Sequence, residues 1–227
     1  MRFLVTGAGR GLGLEFTRQL LAQKKDVVAW LRDPAKSTEL TELGKKYGTQ
    51  LQIQKVDITD DESVADAVKK WSGPLDVLIN NAGVLLDGRD SFAHLAIEKI
   101  ADTFEVNVYA PIRVAQALLP VLQKSASPVL VNVSSKMGSI ADNSGGAYYA
   151  YRMSKTAVNM FTKSFSVDFP KIKTLCVHPG WVQTDMGGAG AAITPEQSVT
   201  GLLKVIFEPQ RYKSGSFVEY SGKELPW

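Results

Sequence analysis

Thr6-Gly7-Ala8-Gly9-Arg10-Gly11-Leu12-Gly13 follows a short apolar run, Phe3-Leu4-Val5, and opens a segment with Leu12, Phe16 and Leu20 at intervals of four. The run reads as a strand, and the segment as a helix with one buried stripe. Between them, glycines let the backbone turn tightly and approach a bound group closely. The helix start then offers unpaired N–H groups and the positive end of a dipole to an anion such as a pyrophosphate. A strand before and a helix after are the context in which a glycine-rich turn points to a dinucleotide.

Outward from this turn the same alternation recurs. Val27 to Leu31 is a second β-rich run, and a polar helix is expected near 35–47. Leu51, Ile53 and Val56 mark a third strand, and Val64, Ala67, Val68 and Trp71 a helix. Leu75 to Ile79, Val129 to Val133, Thr174 to Val177 and Ser216 to Tyr220 read as further strands. Helical stretches fall near 95–124 and 149–168, the second stopped by Pro170. Thr194, Pro195 and Gln197 spell a helix start with a capping box. Strands alternating with helices predict an α/β fold. The expected form is a single Rossmann-type doubly wound domain over 1–227, a seven-stranded parallel sheet with helices on both faces. Gly187 to Ala192 reads as a mobile loop forming part of a lid.

Composition narrows the function classes. The chain is 44% hydrophobic and 22% charged, with 26 basic and 23 acidic residues and a net charge of +3. That excess is too small to argue for nucleic acid or a membrane surface. No apolar stretch approaches the roughly 18 residues a bilayer span needs. The first strand starts almost at once, with no leader ahead of it, so the expected location is cytoplasmic. Cys176 is the single cysteine, which excludes an internal disulfide, and its apolar surroundings predict a buried thiol. His94 and His178 are the two histidines, and with one cysteine they form no metal-ligand cluster. Trp181 is a candidate pocket wall.

Charge at the end of the second strand speaks to the dinucleotide. An NAD site carries an acid there to bond the ribose 2′-OH. Here Leu31 is followed by Arg32, and Arg10 sits inside the glycine turn. Guanidinium pairs bidentately with phosphate, so two arginines favour NADP(H) over NAD(H). Asp33 follows directly and could pair with Arg32 or bond the ribose itself.

Tyr151 and Lys155 lie four apart on a predicted helix, hence on one face. A nearby ammonium stabilises phenolate and lowers a tyrosine pKa from about 10. Such a tyrosine is a usable general acid for carbonyl reduction, or a base for alcohol oxidation. Val131-Asn132-Val133-Ser134-Ser135 ends the fifth strand at the carboxyl edge, where open α/β sheets bind ligands. Ser134 or Ser135 could hydrogen-bond a substrate carbonyl. The fourth strand ends in Asn80-Asn81-Ala82-Gly83, with a glycine where backbone could lie close to a cofactor. The sixth runs into His178-Pro179-Gly180-Trp181-Val182-Gln183-Thr184-Asp185.

Taken in order along the whole chain, these motifs resemble the short-chain dehydrogenases/reductases. The glycine turn matches the family's cofactor turn, Val56–Thr59 its adenine-contacting segment, and Asn80–Gly83 its central strand motif. Asn107 matches its helix asparagine, Tyr151 and Lys155 its YxxxK pair, and Pro179–Asp185 the loop beside the nicotinamide. The family pattern selects the second of the two serines, Ser135. More narrowly, Trp30–Pro34, Ala150–Asn159 and His178–Gly188 resemble the sniffer/C-factor branch of carbonyl reductases.

The resemblance implies roles. Ser135 orients the carbonyl, Tyr151 gives the proton, and Lys155 holds the nicotinamide ribose and depresses the tyrosine pKa. Asn107 holds a water that passes protons inward. Gly7, Arg10, Gly11, Leu12, Gly13 and Arg32 line the cofactor, as do Asp57, Ile58, Asn81, Ala82 and Gly83. Tyr151, Lys155, Pro179, Gly180, Val182 and Thr184 complete that lining. The implied activity is NADPH-dependent reduction of an aldehyde or ketone, in a homodimer or homotetramer. The alternatives are an NAD-dependent alcohol dehydrogenase, or a cofactor-binding signalling protein with little turnover.

Overall fold

The computed structural model describes residues 1–89 and 92–227. Its strands are β1 (Arg2–Thr6), β2 (Asp26–Leu31), β3 (Leu51–Lys55), β4 (Val77–Asn80), β5 (Val129–Val133), β6 (Lys173–His178) and β7 (Ser216–Glu219). They form one seven-stranded sheet in the order β3-β2-β1-β4-β5-β6-β7, every neighbouring pair parallel. The helices are α1 (Gly11–Ala22), α2 (Thr38–Tyr47), α3 (Asp61–Lys69), α4 (Ile97–Phe104), α5 (Ala110–Leu122), α6 (Tyr149–Asp168) and α7 (Pro195–Phe207). This is the Rossmann-type α/β architecture the alternation predicts.

Successive strand residues point to opposite faces. Phe3 and Val5 of β1 therefore pack with Phe16 and Leu20 of α1, Leu40 of α2 and Leu202 of α7. Leu4, between them, joins Val64 of α3, Leu118 of α5 and Phe165 of α6 on the other face. Both faces are covered, which is why the strands read as continuous apolar runs rather than alternating ones.

Beyond shifts of a residue at several strand ends, two differences from expectation stand out. The fourth strand runs from Val77 rather than Leu75. Asp76, just before it, donates its N–H to the Arg2 carbonyl at 3.0 Å, accepts from Val129 N at 2.8 Å, and takes the Arg2 N–H on its carboxylate at 2.8 Å. The single helix expected near 95–124 is two helices joined by a π turn, Glu105–Tyr109. Pro111 supplies the reason. It has no N–H to give the carbonyl four residues back, that of Asn107, and its ring crowds that carbonyl. One extra residue in the turn relieves the clash.

The capping box forms as spelled: Thr194 Oγ1 accepts from Gln197 N at 3.2 Å, and Gln197 Oε1 accepts from Thr194 N at 3.1 Å. Such a cap stabilises by about 1 kcal/mol. Cys176 is fully buried. Among the described residues there is no group of three metal-ligating side chains, and no helix long and apolar enough to cross a membrane.

The strand order reverses at β1, which lies between β2 and β4. Ligands of open α/β sheets bind outside the carboxyl ends of the strands at such a point. The β1–β4 ladder ends at Val5 opposite Ile79. Beyond it, the Thr6 hydroxyl oxygen accepts from the backbone N–H of Asn81 at 3.0 Å and of Ala82 at 3.2 Å.

Candidate active site

The glycine turn lies at this switch point. Gly7 has φ +66, and a Cβ there would stand 2.9 Å from Ala82 Cα. A Cβ on Gly13 would run into the Gly7 carbonyl oxygen. Gly11, at φ +53, faces the Thr184 methyl. The start of α1 has no side-chain cap and no acidic residue in its first turn, so no side chain competes there for an anion. Asn81 pins the turn by donating from Nδ2 to the Thr6 carbonyl at 2.9 Å. Gly83 lies over the chemical pair: a Cβ there would be 3.2 Å from Asn107 Oδ1 and 3.5 Å from Lys155 Nζ. These close approaches, a bare helix start and a backbone cradle fit a dinucleotide.

Around the expected adenosine end, Arg10 Nη1 meets Asp185 Oδ2 at 2.6 Å, with both side chains mostly exposed. Asp33 pairs with Lys36 at 3.3 Å rather than with Arg32. Arg32 is exposed. Asp57 accepts from the Thr59 N–H at 3.0 Å and the Thr59 hydroxyl at 2.7 Å. Partial burial pushes its carboxyl up, but those hydrogen bonds, with Arg32 and Arg113, hold it below the usual carboxylate value. Ile58 is buried, and its carbonyl accepts from Arg113 Nη1 at 3.1 Å.

The two serines separate cleanly. Ser134 is committed inward, donating to Asn159 Oδ1 at 2.6 Å. Ser135 accepts from Met137 N at 3.1 Å and lies close enough to the Tyr151 phenol to draw its pKa down. Tyr151 and Lys155 share one face of α6, with Nζ 5.5 Å from the phenol ring centre. Lys155 Nζ donates to the Val133 carbonyl at 3.0 Å, tying α6 to the end of β5.

The expected lowering of the tyrosine pKa is not what this arrangement gives. Burial pushes the Tyr151 phenol up to about 12, and the Ser135 hydroxyl only partly opposes it. Burial also draws Lys155 down to about 8, with Cys176 opposing. Desolvation penalises the charged form of each group, phenolate and ammonium alike.

Asn107 lies in the π turn, buried. Its Oδ1 accepts from Val84 N at 2.8 Å, and its Nδ2 donates to the Val84 carbonyl at 2.9 Å and to Ser154 Oγ at 3.0 Å. One Oδ1 lone pair is left over for a water.

The segment after β6 is hydrogen-bonded to its surroundings. The Pro179 carbonyl accepts from Ser198 Oγ at 2.6 Å. Gly180, at φ +85, passes close beneath Ile193 and Tyr220. Val182 is buried, and Thr184 Oγ1 accepts from Gly187 N at 3.2 Å. Trp181 is 59% exposed and donates from Nε1 to the Gly187 carbonyl at 2.9 Å, bracing the segment. Met186 brings its sulfur to 4.0 Å from the Tyr151 hydroxyl.

Sequence reading missed Met186, Ser154, Asn159 and Asp87. Ser154 sits inside the YxxxK stretch and bridges Asn107 to the Tyr151 carbonyl, which accepts from Ser154 Oγ at 2.7 Å. Its place on the helix was a usable signal. Asp87 and Met186 reach the site only through the fold, and no spacing in the chain announces them.

Comparison with known proteins agrees with this geometry. The family model described as short chain dehydrogenase matches residues 2–192. The C-signal protein of Myxococcus xanthus is 45% identical over 166 residues, spanning 72% of this chain and 99% of its own length. The carbonyl reductase Sniffer of D. melanogaster superposes with a TM-score of 0.94 at 33% identity, covering 100% of this chain and 99% of its own. An NADPH-bound carbonyl reductase from chicken fatty liver superposes with a TM-score of 0.91 at 34% identity, covering 100% and 98%.

Proposed function

The chain belongs to the short-chain dehydrogenase/reductase family, in its sniffer/C-factor-like branch, and on that premise we propose that it reduces aldehydes or ketones with NADPH. The observation that carries the reading is the convergence of buried Ser135, Tyr151 and Lys155 beside the glycine turn, at the carboxyl edge of the sheet. A protein that only binds a dinucleotide has no use for that proton-handling set.

The nicotinamide dinucleotide, when bound, supplies the hydride. The chain's own residues do the rest. Gly7, Gly11, Leu12 and Gly13 take the pyrophosphate on backbone N–H groups at the start of α1. Asp57, Ile58, Asn81, Ala82 and Gly83 line the adenosine side and the floor. Pro179, Gly180, Val182 and Thr184 close the nicotinamide side. Arg32, with Arg10 once released from Asp185, is matched to a 2′-phosphate. Ser135 donates to the substrate carbonyl oxygen and orients it. Tyr151 gives its proton to the same oxygen; a phenol kept protonated by burial is in the correct form for reduction. Lys155 presents an ammonium to the phenolate left behind, and Asn107 offers Oδ1 to a water that returns the proton.

NADPH consumption, measured against a panel of aldehydes and ketones, tests the reading. Turnover with NADPH in clear preference to NADH is the expected result. Tight NADPH binding with no turnover across the panel overturns it, and favours the second reading, a cofactor-binding signalling protein, which the likeness to C-signal keeps in view.

A further inference from the structure

We propose that Asp87, on the loop after β4, is the positioning residue for Tyr151, capping α6 from outside the helix; this rests on the reading of Tyr151 as proton donor. The sequence gives α6 no cap of its own. Tyr148, at the cap position, has φ 50 and makes no side-chain hydrogen bond to the helix start, and the first turn holds no acidic residue. Gly146, Ala147 and Tyr148 are three successive residues at positive φ (57, 54 and 50). Two of them carry side chains, for which that conformation is strained. A helix entered this way needs an external hold on its free N–H groups.

The hold comes from one short segment. Asp87 is buried, and its two carboxylate oxygens divide the work: Oδ2 accepts from Ala150 N at 2.9 Å, and Oδ1 from Tyr151 N at 3.3 Å. The Gly88 carbonyl accepts from Tyr148 N at 3.1 Å, fixing the last left-handed residue. Three residues before Asp87, Val84 is clasped by Asn107, which connects through Ser154 to the Tyr151 carbonyl. Both backbone polar groups of Tyr151 are therefore referred to the same loop, its N–H to Asp87 and its C=O through Ser154 and Asn107 to Val84. A carboxylate at a helix N-terminus also makes charge-assisted hydrogen bonds and complements the helix dipole.

The chemistry requires the phenol to stay within reach of Ser135 and Lys155, and small displacements of a reacting group are costly in rate. Asp87 touches neither hydroxyl nor ammonium, so it acts through Tyr151's backbone. The test compares wild type, Asp87→Asn and Asp87→Ala. The expected result is a graded loss of kcat, roughly 3- to 10-fold for Asn, which keeps one acceptor oxygen, and roughly 30- to 100-fold for Ala, at NADPH affinity within about twofold. Hydrogen exchange over residues 148–152, read without turnover, should lose protection in the same order while the sheet keeps its own.

Wild-type kcat in Asp87→Ala, or unchanged exchange at 148–152, overturns the proposal. So does a fall in kcat matched by loss of NADPH affinity and of protection throughout the chain, which marks general destabilisation. Should Asp87→Ala not fold, Asp87→Asn decides alone by the same two readouts. If wild type turns over no carbonyl while exchange at 148–152 still responds to Asp87, the functional reading fails and the positioning contact stands.

Discussion

The thioether of Met186 meets the hydroxyl of Tyr151 at 4.0 Å, bringing the loop after β6 onto the atom proposed to give the proton. Sulfur is a weak acceptor, and such a contact is worth about 1 kcal/mol or less. A carbonyl oxygen must take that place to receive the proton. Met186→Ala is therefore expected to lower KM for carbonyl substrates by about two- to fivefold and leave kcat within about twofold. Steady-state kinetics on one aldehyde and one bulkier ketone checks this, and an unchanged KM for both would show that the sulfur does not stand in the substrate's way.

Tyr151→Phe keeps the ring and its packing and removes the proton. Turnover should fall by about 10²- to 10⁴-fold, the range for general acid catalysis. NADPH affinity, measured by fluorescence titration, should stay within about twofold, since the glycine turn is untouched. A fully active variant would move the proton donor elsewhere.

Lys155 links catalysis to stability with a definite sign. Folded, its ammonium loses the proton near 8, against an ordinary value of 10.5. Between those values the unfolded chain binds more protons, so this residue's contribution makes stability rise with pH through that window and costs most below it. Lys155→Met should therefore raise Tm near pH 7, the gain bounded by about 3 kcal/mol and cut by loss of the bond to Val133. The gap should narrow by about pH 10. Carbonyl reduction by wild type should decline above about pH 8 as the ammonium is lost, while Tyr151, at about 12, stays protonated. A Tm difference independent of pH would contradict the assignment.

Cofactor choice turns on exposed charges. Arg32→Ala should weaken NADPH binding by about 10- to 100-fold and leave NADH binding nearly unchanged, because a charge-assisted phosphate contact is worth about 1.5–3 kcal/mol. Asp185→Asn should strengthen NADPH binding by about two- to fivefold, since the exposed Arg10–Asp185 pair that must open is worth at most about 1 kcal/mol. Calorimetry with both nucleotides decides it. Equal losses for NADPH and NADH in Arg32→Ala would remove the 2′-phosphate contact.

What the sequence made legible follows what is local. The seven strands, the glycine turn and the Thr194 cap are written in runs of neighbouring residues, where periodicity and turn chemistry operate. The π turn was also written, in Pro111 four residues after Asn107, but a single inserted residue is hard to tell from an ordinary irregularity in one helical pattern. The residues alone left Ser134 and Ser135 open and only the family resemblance chose Ser135; the backbone beyond β5 sends Ser134 inward to Asn159 and Ser135 toward Tyr151. The tyrosine pKa was misjudged for a similar reason: spacing shows that Lys155 is near, and says nothing of how completely both groups are desolvated. Asp87 was beyond reach because its partners, Ala150 and Tyr151, are 63 and 64 residues away and are backbone amides, which carry no signature in a sequence.

The Thr6 hydroxyl has a bearing on the walls of the cleft. Its oxygen spends both lone pairs on the amides of Asn81 and Ala82 just where the ladder between β1 and β4 stops. The two halves of the sheet are thereby latched at their point of divergence. On the opposite wall the segment after β6 reaches across through the exposed Arg10–Asp185 pair and the Met186 sulfur. An ion pair in water is loosened by salt. One wall of the cleft is therefore held by a contact that ionic strength can tune, while the other is bolted by one threonine.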